Sequence, residues 1–202
     1  MDDAEVARLY GPWEPFTELE ARELLDPIGI PWWVASGVAL EAFHGVARSH
    51  GDLDVGILRR DLAAFRTAID GRLHAWSVGS GMLRPLNAEF PEPHPEADQL
   101  WLREHALAPW RLDVLLNPDR DGDWVFRRDP TFAAPIEAVT WQRDGIRYLK
   151  PEIALAFKAK RTRPKDDVDF LAALPMLDPT ARDWLATYLR RHARGHSWLR
   201  DI

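Results

Sequence analysis

The chain has 202 residues, 46% of them hydrophobic and 29% charged, which is the balance of a globular protein with a real core and not of a disordered one. It contains no cysteine, which excludes disulfides and thiolate metal sites. Its formal net charge of −6 argues against a protein that coats nucleic acid and leans toward a small-molecule substrate. No run approaches the ~20 apolar residues that span a bilayer. The acidic start Met1-Asp2-Asp3-Ala4-Glu5 has no apolar stretch behind it, as a signal peptide would. A cytoplasmic location without membrane contact is the expectation. In chain order, Glu18 to Leu25 reads as a first helix, with Leu19, Leu24 and Leu25 among charges. Pro31 to Ala35 is a short apolar run that stops at Ser36-Gly37, as a buried strand does. Val38 to Phe43 follow as a helix, Val38, Ala39, Ala42 and Phe43 sharing a face.

Asp52-Leu53-Asp54-Val55-Gly56-Ile57-Leu58 alternates polar and apolar positions and predicts a two-faced strand. Asp61 is placed to cap a helix running to about Arg72, and His74 to Val78 predicts another strand. Residues 79–97, with two glycines and four prolines, read as a loop, either a lid or a surface insertion. Strands are expected at Gln99 to Arg103, Arg111 to Leu116, Trp124 to Arg127 and Ile146 to Leu149. From Pro151 the pattern turns helical, with further helices at Val168 to Leu174 and from the cap pair Asp178-Pro179 to about His192. The sum is an α+β fold: a core over residues 1–150 and a helical C-terminal segment over residues 151–202.

The chemistry gathers on acids. Two aspartates at i and i+2 of a strand, Asp52 and Asp54, point to one side about 6–7 Å apart at the backbone. That spacing lets both carboxylates reach one Mg²⁺ or bridge two ions ~3.5–4 Å apart. Alone, such a pair is a common exposed strand edge. Three neighbours change its weight. Ser36-Gly37 ends a strand and opens a helix, where free N–H groups can take a phosphate, although an ordinary turn has the same sequence. Asp113 is a single acid among apolar residues on a second strand, where it either closes a salt bridge or completes a metal or base site. The four lysines of the chain, Lys150, Lys158, Lys160 and Lys165, fall in one stretch, in which Lys158 to Lys165 is a solvated helix face or a reach toward phosphate. Arg48 is either a triphosphate contact or a salt-bridge partner. His50 either approaches the nucleotide or holds its loop. Trp101 and Trp110 flank the acceptor side as candidates to stack on a base or sugar. His192 and His196 stand at zinc spacing but lack a third ligand, and read as surface residues.

Taken together, Trp33 to Leu40, Arg48 to Val55, Arg111 to Val114 and Tyr148 to Glu152 on to Asp169 resemble the polymerase β-like nucleotidyltransferase superfamily. The likeness is to its aminoglycoside 2''-adenylyltransferase-like branch, over about residues 30–175. The resemblance implies a mixed β-sheet flanked by helices. It implies that Ser36 and Gly37 touch phosphate, that Asp52 and Asp54 hold Mg²⁺, with two ions expected, and that Asp113 is a further ligand or the general base. It puts Lys158 near the phosphates, and leaves Asp166 and Asp169 to hold helices together through Arg or Lys pairs. The family pair is commonly Gly-Gly or Gly-Ser, whereas this chain has Ser-Gly. The implied reaction moves an NMP, AMP first, from an NTP to a hydroxyl of a small, aminoglycoside-like acceptor. The alternatives are a toxin-type transferase acting on tRNA or protein, and an inactive nucleotide-binding module.

Overall fold

The computed structural model describes residues 3–202, so that Met1 and Asp2 of the acidic start lie outside the described residues. In chain order the elements are α1 (Asp3–Tyr10), α2 (Glu18–Leu25), β1 (Trp32–Val34), α3 (Ser36–His44), β2 (Asp54–Leu58), α4 (Leu62–Ile69) and β3 (His74–Gly79). There follow β4 (Met82–Pro85), β5 (Gln99–Arg103), β6 (Leu112–Asn117), β7 (Asp119–Arg120), β8 (Asp123–Val125), β9 (Ala133–Ala134) and α5 (Ile136–Val139). The chain closes with β10 (Thr140–Arg143), β11 (Ile146–Leu149), α6 (Pro151–Lys158), α7 (Pro164–Ala173) and α8 (Pro179–His192). This is the α+β class expected, with a mixed sheet, flanking helices and a helical end. The chain divides into two compact units, one of residues 1–33 with 51–136, the other of residues 34–50 with 137–202.

In the first unit the strands run in the order β2-β6-β5-β3-β4, and only β2 and β6 are parallel. Alternation divides this sheet into two unlike faces. Val55, Ile57, Leu100, Leu102, Leu112, Val114 and Leu116 form a buried apolar face. On the other face the register places Asp54 beside Asp113, Asp113 beside Trp101, and Trp101 beside Trp76. Gly56 lies on that face because the ring of Trp33 occupies the volume a Cβ would take. Trp13, Trp76, Trp101 and Trp110 meet edge-on or tilted, and the Arg103 guanidinium stacks over Trp76 and Trp110 at 4.6 and 4.1 Å. The N-terminal stretch is held here by Glu14 N–H to Trp110 carbonyl and Phe16 N–H to Arg111 carbonyl.

Three expectations need correction in this unit, and one element was not foreseen. The run 79–97 carries β4, which pairs with β3 through Ser80 and Gly81, both at positive φ (49° and 76°), the geometry of a tight hairpin. The helix after Asp61 stops at Ile69, and Asp61 makes no side-chain cap. The strand at Asp52 begins at Asp54, so that Asp52 sits on the approach to it. Residues 3–10 form α1, which the sequence pattern did not announce.

In the second unit β11 pairs antiparallel with β10 and parallel with β1 at Val34. Helix α6 packs against α3 and α8, and α7 against α3. Pro151 and Pro179 occupy the first turns of α6 and α8, and the Asp178 side chain accepts the Ala181 N–H at 2.8 Å. The basic stretch is not one helix face. Lys158 ends α6 and is buried, Lys160, Arg161 and Arg163 are exposed in a turn, and α7 starts at Pro164, four residues before the expected Val168.

Candidate active site

Three carboxylates converge in the first unit. Asp52 is exposed, Asp54 half-buried and Asp113 buried at 4% exposure, and one oxygen from each lies within 4.8 Å of the others. The parallel register of β2 and β6 brings this about by setting Asp54 opposite Asp113, with the Asp113 N–H bonded to the Leu53 carbonyl. The Asp113 carboxylate has two unlike oxygens. Its Oδ2 accepts from Gln99 Nε2 and from Trp101 Nε1, both at 3.0 Å. Its Oδ1 is buried with no hydrogen-bond partner. Burial pushes the Asp113 carboxyl well above the usual carboxylate range, and the charges of Asp54 and Asp52 push it further.

A buried carboxylate with one oxygen lacking a donor, beside two more carboxylates, is costly alone, and the three together are a donor set that a hard divalent cation takes. The residues therefore fit a divalent ion, and Asp52, Asp54 and Asp113 would hold it. The one other pair raised by the sequence, His192 and His196, has both rings engaged elsewhere. His196 Nε2 lies 2.9 Å from Thr162 Oγ1 and its Nδ1 accepts the Trp198 N–H, while the His192 ring stacks on Tyr188.

The second unit gathers the remaining candidates around the first turn of α3. Ser36 adopts φ 56°, a left-handed conformation that glycine takes without strain. This explains why glycine is the usual residue at the first position of the pair. A Cβ at Gly37 would clash with the Arg48 guanidinium and press on the His50 ring, so a larger second residue would have to displace Arg48. Arg48 is fixed there by a bidentate pair, Nε to Asp169 Oδ1 and Nη2 to Asp169 Oδ2, both 2.8 Å. His50 Nε2 lies 2.8 Å from Glu41 Oε2, which also accepts the Arg48 N–H at 2.9 Å. Burial raises the Glu41 carboxyl, but those bonds outweigh it and hold it below its usual value. Lys158 is buried, with Nζ 2.6 Å from Asp166 Oδ1 and 3.6 Å from Asp169 Oδ2. Asp166 and Asp169 thus tie α6, α7 and the 45–50 loop through Lys158 and Arg48, as expected of them.

Solved structures share this architecture. The antibiotic-resistance factor ANT(2'')-Ia in complex with adenylyl-2''-tobramycin is 14% identical, with TM-score 0.54, covering 87% of this chain and 95% of that one. Its solution structure gives 15% identity and TM-score 0.52 over 96% and 95% of the two chains. The lincomycin-bound lincosamide adenylyltransferase LnuA gives 15% and 0.56 over 81% and 100%. The chain has the nucleotidyltransferase fold. No protein-family model and no curated protein sequence matches it.

On this nucleotidyltransferase fold, sequence reasoning missed Gln99 and the role of the Trp101 N–H. The alternation of Gln99, Trp101 and Arg103 on β5 was legible, but the pairing that sets this strand beside Asp113 was not. Of the two stacking candidates, Trp110 is fully buried with its N–H on the Tyr10 carbonyl, and Trp101 is partly exposed with its N–H on Asp113.

Proposed function

We propose that the chain transfers an NMP, AMP in the first instance, from an NTP to a hydroxyl of a small acceptor, with Mg²⁺ as cofactor. The convergence of Asp52, Asp54 and the half-unsatisfied Asp113 carries this reading. A divalent ion bound there would neutralise the triphosphate and the departing pyrophosphate. In the reaction the acceptor oxygen attacks the α-phosphorus, a new O–P bond forms, and the bridging α–β bond breaks with pyrophosphate leaving. Asp113 is assigned as the third metal ligand, with the proton acceptor for the hydroxyl as its alternative role. Ser36 and Gly37 are assigned to phosphate, with the α3 N-terminus supplying N–H groups. Arg48, His50 and Lys158 are assigned to nucleotide binding through the positive charge and ring they bring to the unit of α3, while Asp169, Glu41 and Asp166 orient them.

The small acceptor is supported by the fold's likeness to proteins described with tobramycin and lincomycin. A tRNA acceptor is the second reading and rests on the exposed Lys160, Arg161 and Arg163. Incubation with α-labelled ATP, Mg²⁺ and a panel of aminoglycosides, lincosamides and tRNA tests both. Label transferred to an antibiotic supports the first, and label on tRNA alone supports the second. ATP consumed with neither Asp52→Ala nor Asp54→Ala reducing it would overturn both.

A further inference from the structure

Asp113 enters the site with one oxygen already taken. Gln99 and Trp101 stand on the same face of β5, and their N–H groups meet on Oδ2. The Trp101 donor is itself held, its ring meeting Trp13 and Trp110 edge-on at 5.2 and 5.4 Å. The carboxylate is thereby fixed about its own torsion, and Oδ1 is the oxygen without a hydrogen-bond partner, left free for a cation shared with Asp52 and Asp54. We propose that Gln99 and Trp101 are positioning residues that make Asp113 a one-oxygen ligand and so bias the centre toward small octahedral cations.

The argument rests on the reading of the triad as a metal centre and follows from ligand chemistry. Mg²⁺ and Mn²⁺ take carboxylates through single oxygens in an octahedron, whereas Ca²⁺ accepts more oxygens and often both from one carboxylate. Two N–H donors on Oδ2 oppose that second contact, since a cation approaching Oδ2 must displace them. They also hold Oδ1 in place before the ion arrives, as hydrogen bonds behind metal ligands generally do.

The test is calorimetric titration of the full chain with Mn²⁺ and separately with Ca²⁺, for the parent, Gln99→Leu, Trp101→Phe, Trp101→His and the Gln99→Leu/Trp101→Phe pair. Trp101→Phe keeps a ring in the aromatic cluster and loses the N–H, and Trp101→His restores a ring N–H. Each single loss is expected to weaken Mn²⁺ binding about 10- to 100-fold, Ca²⁺ much less, and Trp101→His is expected to recover part of the Mn²⁺ affinity. Melting curves show which variants are folded, and Gln99→Leu, the milder change, carries the test should Trp101→Phe unfold. Parent-like Mn²⁺ affinity and Mn²⁺/Ca²⁺ preference in a folded Gln99→Leu would overturn the positioning role alone. A parent chain that binds neither cation would overturn the metal centre, and this role with it.

Discussion

Replacing Asp113 with asparagine is expected to stabilise the metal-free protein while abolishing its response to divalent ions. At an effective dielectric near 20, two unit charges 4.8 Å apart repel by about 3.5 kcal/mol. Asp54 is close enough for that repulsion to act on Asp113 in full, and exposed Asp52 adds a smaller, screened share. Asparagine removes the charge, and its side-chain oxygen still accepts from Gln99 and Trp101. Once the Asp113 carboxyl is ionised, removing this repulsion is therefore worth on the order of 3 kcal/mol, or roughly 6–12 °C in melting temperature for a chain this long. The sign with pH follows from the raised carboxyl. The folded state holds the proton more tightly than the unfolded chain, so the stabilising contribution is present below the unfolded value of about 3.9 and is lost as pH rises through the folded one. The advantage of Asp113→Asn in EDTA should thus open as pH rises above about 4, and it is to be read at about pH 4 and about pH 8. Added Mg²⁺ should raise the melting temperature of the parent and leave the variant unmoved. Scanning calorimetry in EDTA and in Mg²⁺ at both pH values measures this. A variant less stable than the parent at pH 8 in EDTA, or an advantage that does not change with pH, would refute the electrostatic account.

Ser36→Gly should raise stability by a few tenths to about 1 kcal/mol, because relief of the left-handed strain exceeds the entropy glycine loses on folding; a drop of several degrees in a thermal melt would contradict the strained turn. Gly56→Ala should cost about 3 kcal/mol or more by driving a methyl into the buried Trp33 ring, and a urea midpoint near that of the parent would count against it. Lys158→Met leaves Asp166 and Asp169 without the buried ammonium and should cost about 3 kcal/mol in urea unfolding. The Asp166 carboxyl, raised by burial but lowered further by Lys158 and Arg163, stabilises the fold above the unfolded value near 3.9 and loses that effect as pH falls below it, so the parent's margin over Lys158→Met should shrink in acid.

How far the sequence could be read depended on whether one strand or a pairing of strands set the feature. The alternation of residues 52–58, 99–103 and 111–116 is local, and it placed Asp54 and Asp113 on their strands directly. The starts of α6 and α8 were likewise visible, in the first-turn Pro151 and in the cap pair Asp178-Pro179. The hairpin at Ser80-Gly81 was hidden because a proline-rich run follows it, and local composition pointed to a loop. What no local pattern reveals is which strands lie side by side. That β5 borders β6, and so that Gln99 and Trp101 bond to Asp113, is long-range information. The same holds for Arg48 and Asp169, which are far apart in the chain and meet in a two-bond pair. The positive φ of Ser36 was foreshadowed only by the usual glycine at that position in the resembling family.

The most direct measurement is a crystal of the full chain grown with Mn²⁺ and a non-hydrolysable ATP analogue, with anomalous data collected at the manganese edge. The account predicts a peak with oxygens of Asp52, Asp54 and Asp113 at about 2.1–2.2 Å, the Asp113 contact made through Oδ1 alone. Nucleotide bound with no peak among those three carboxylates would contradict it.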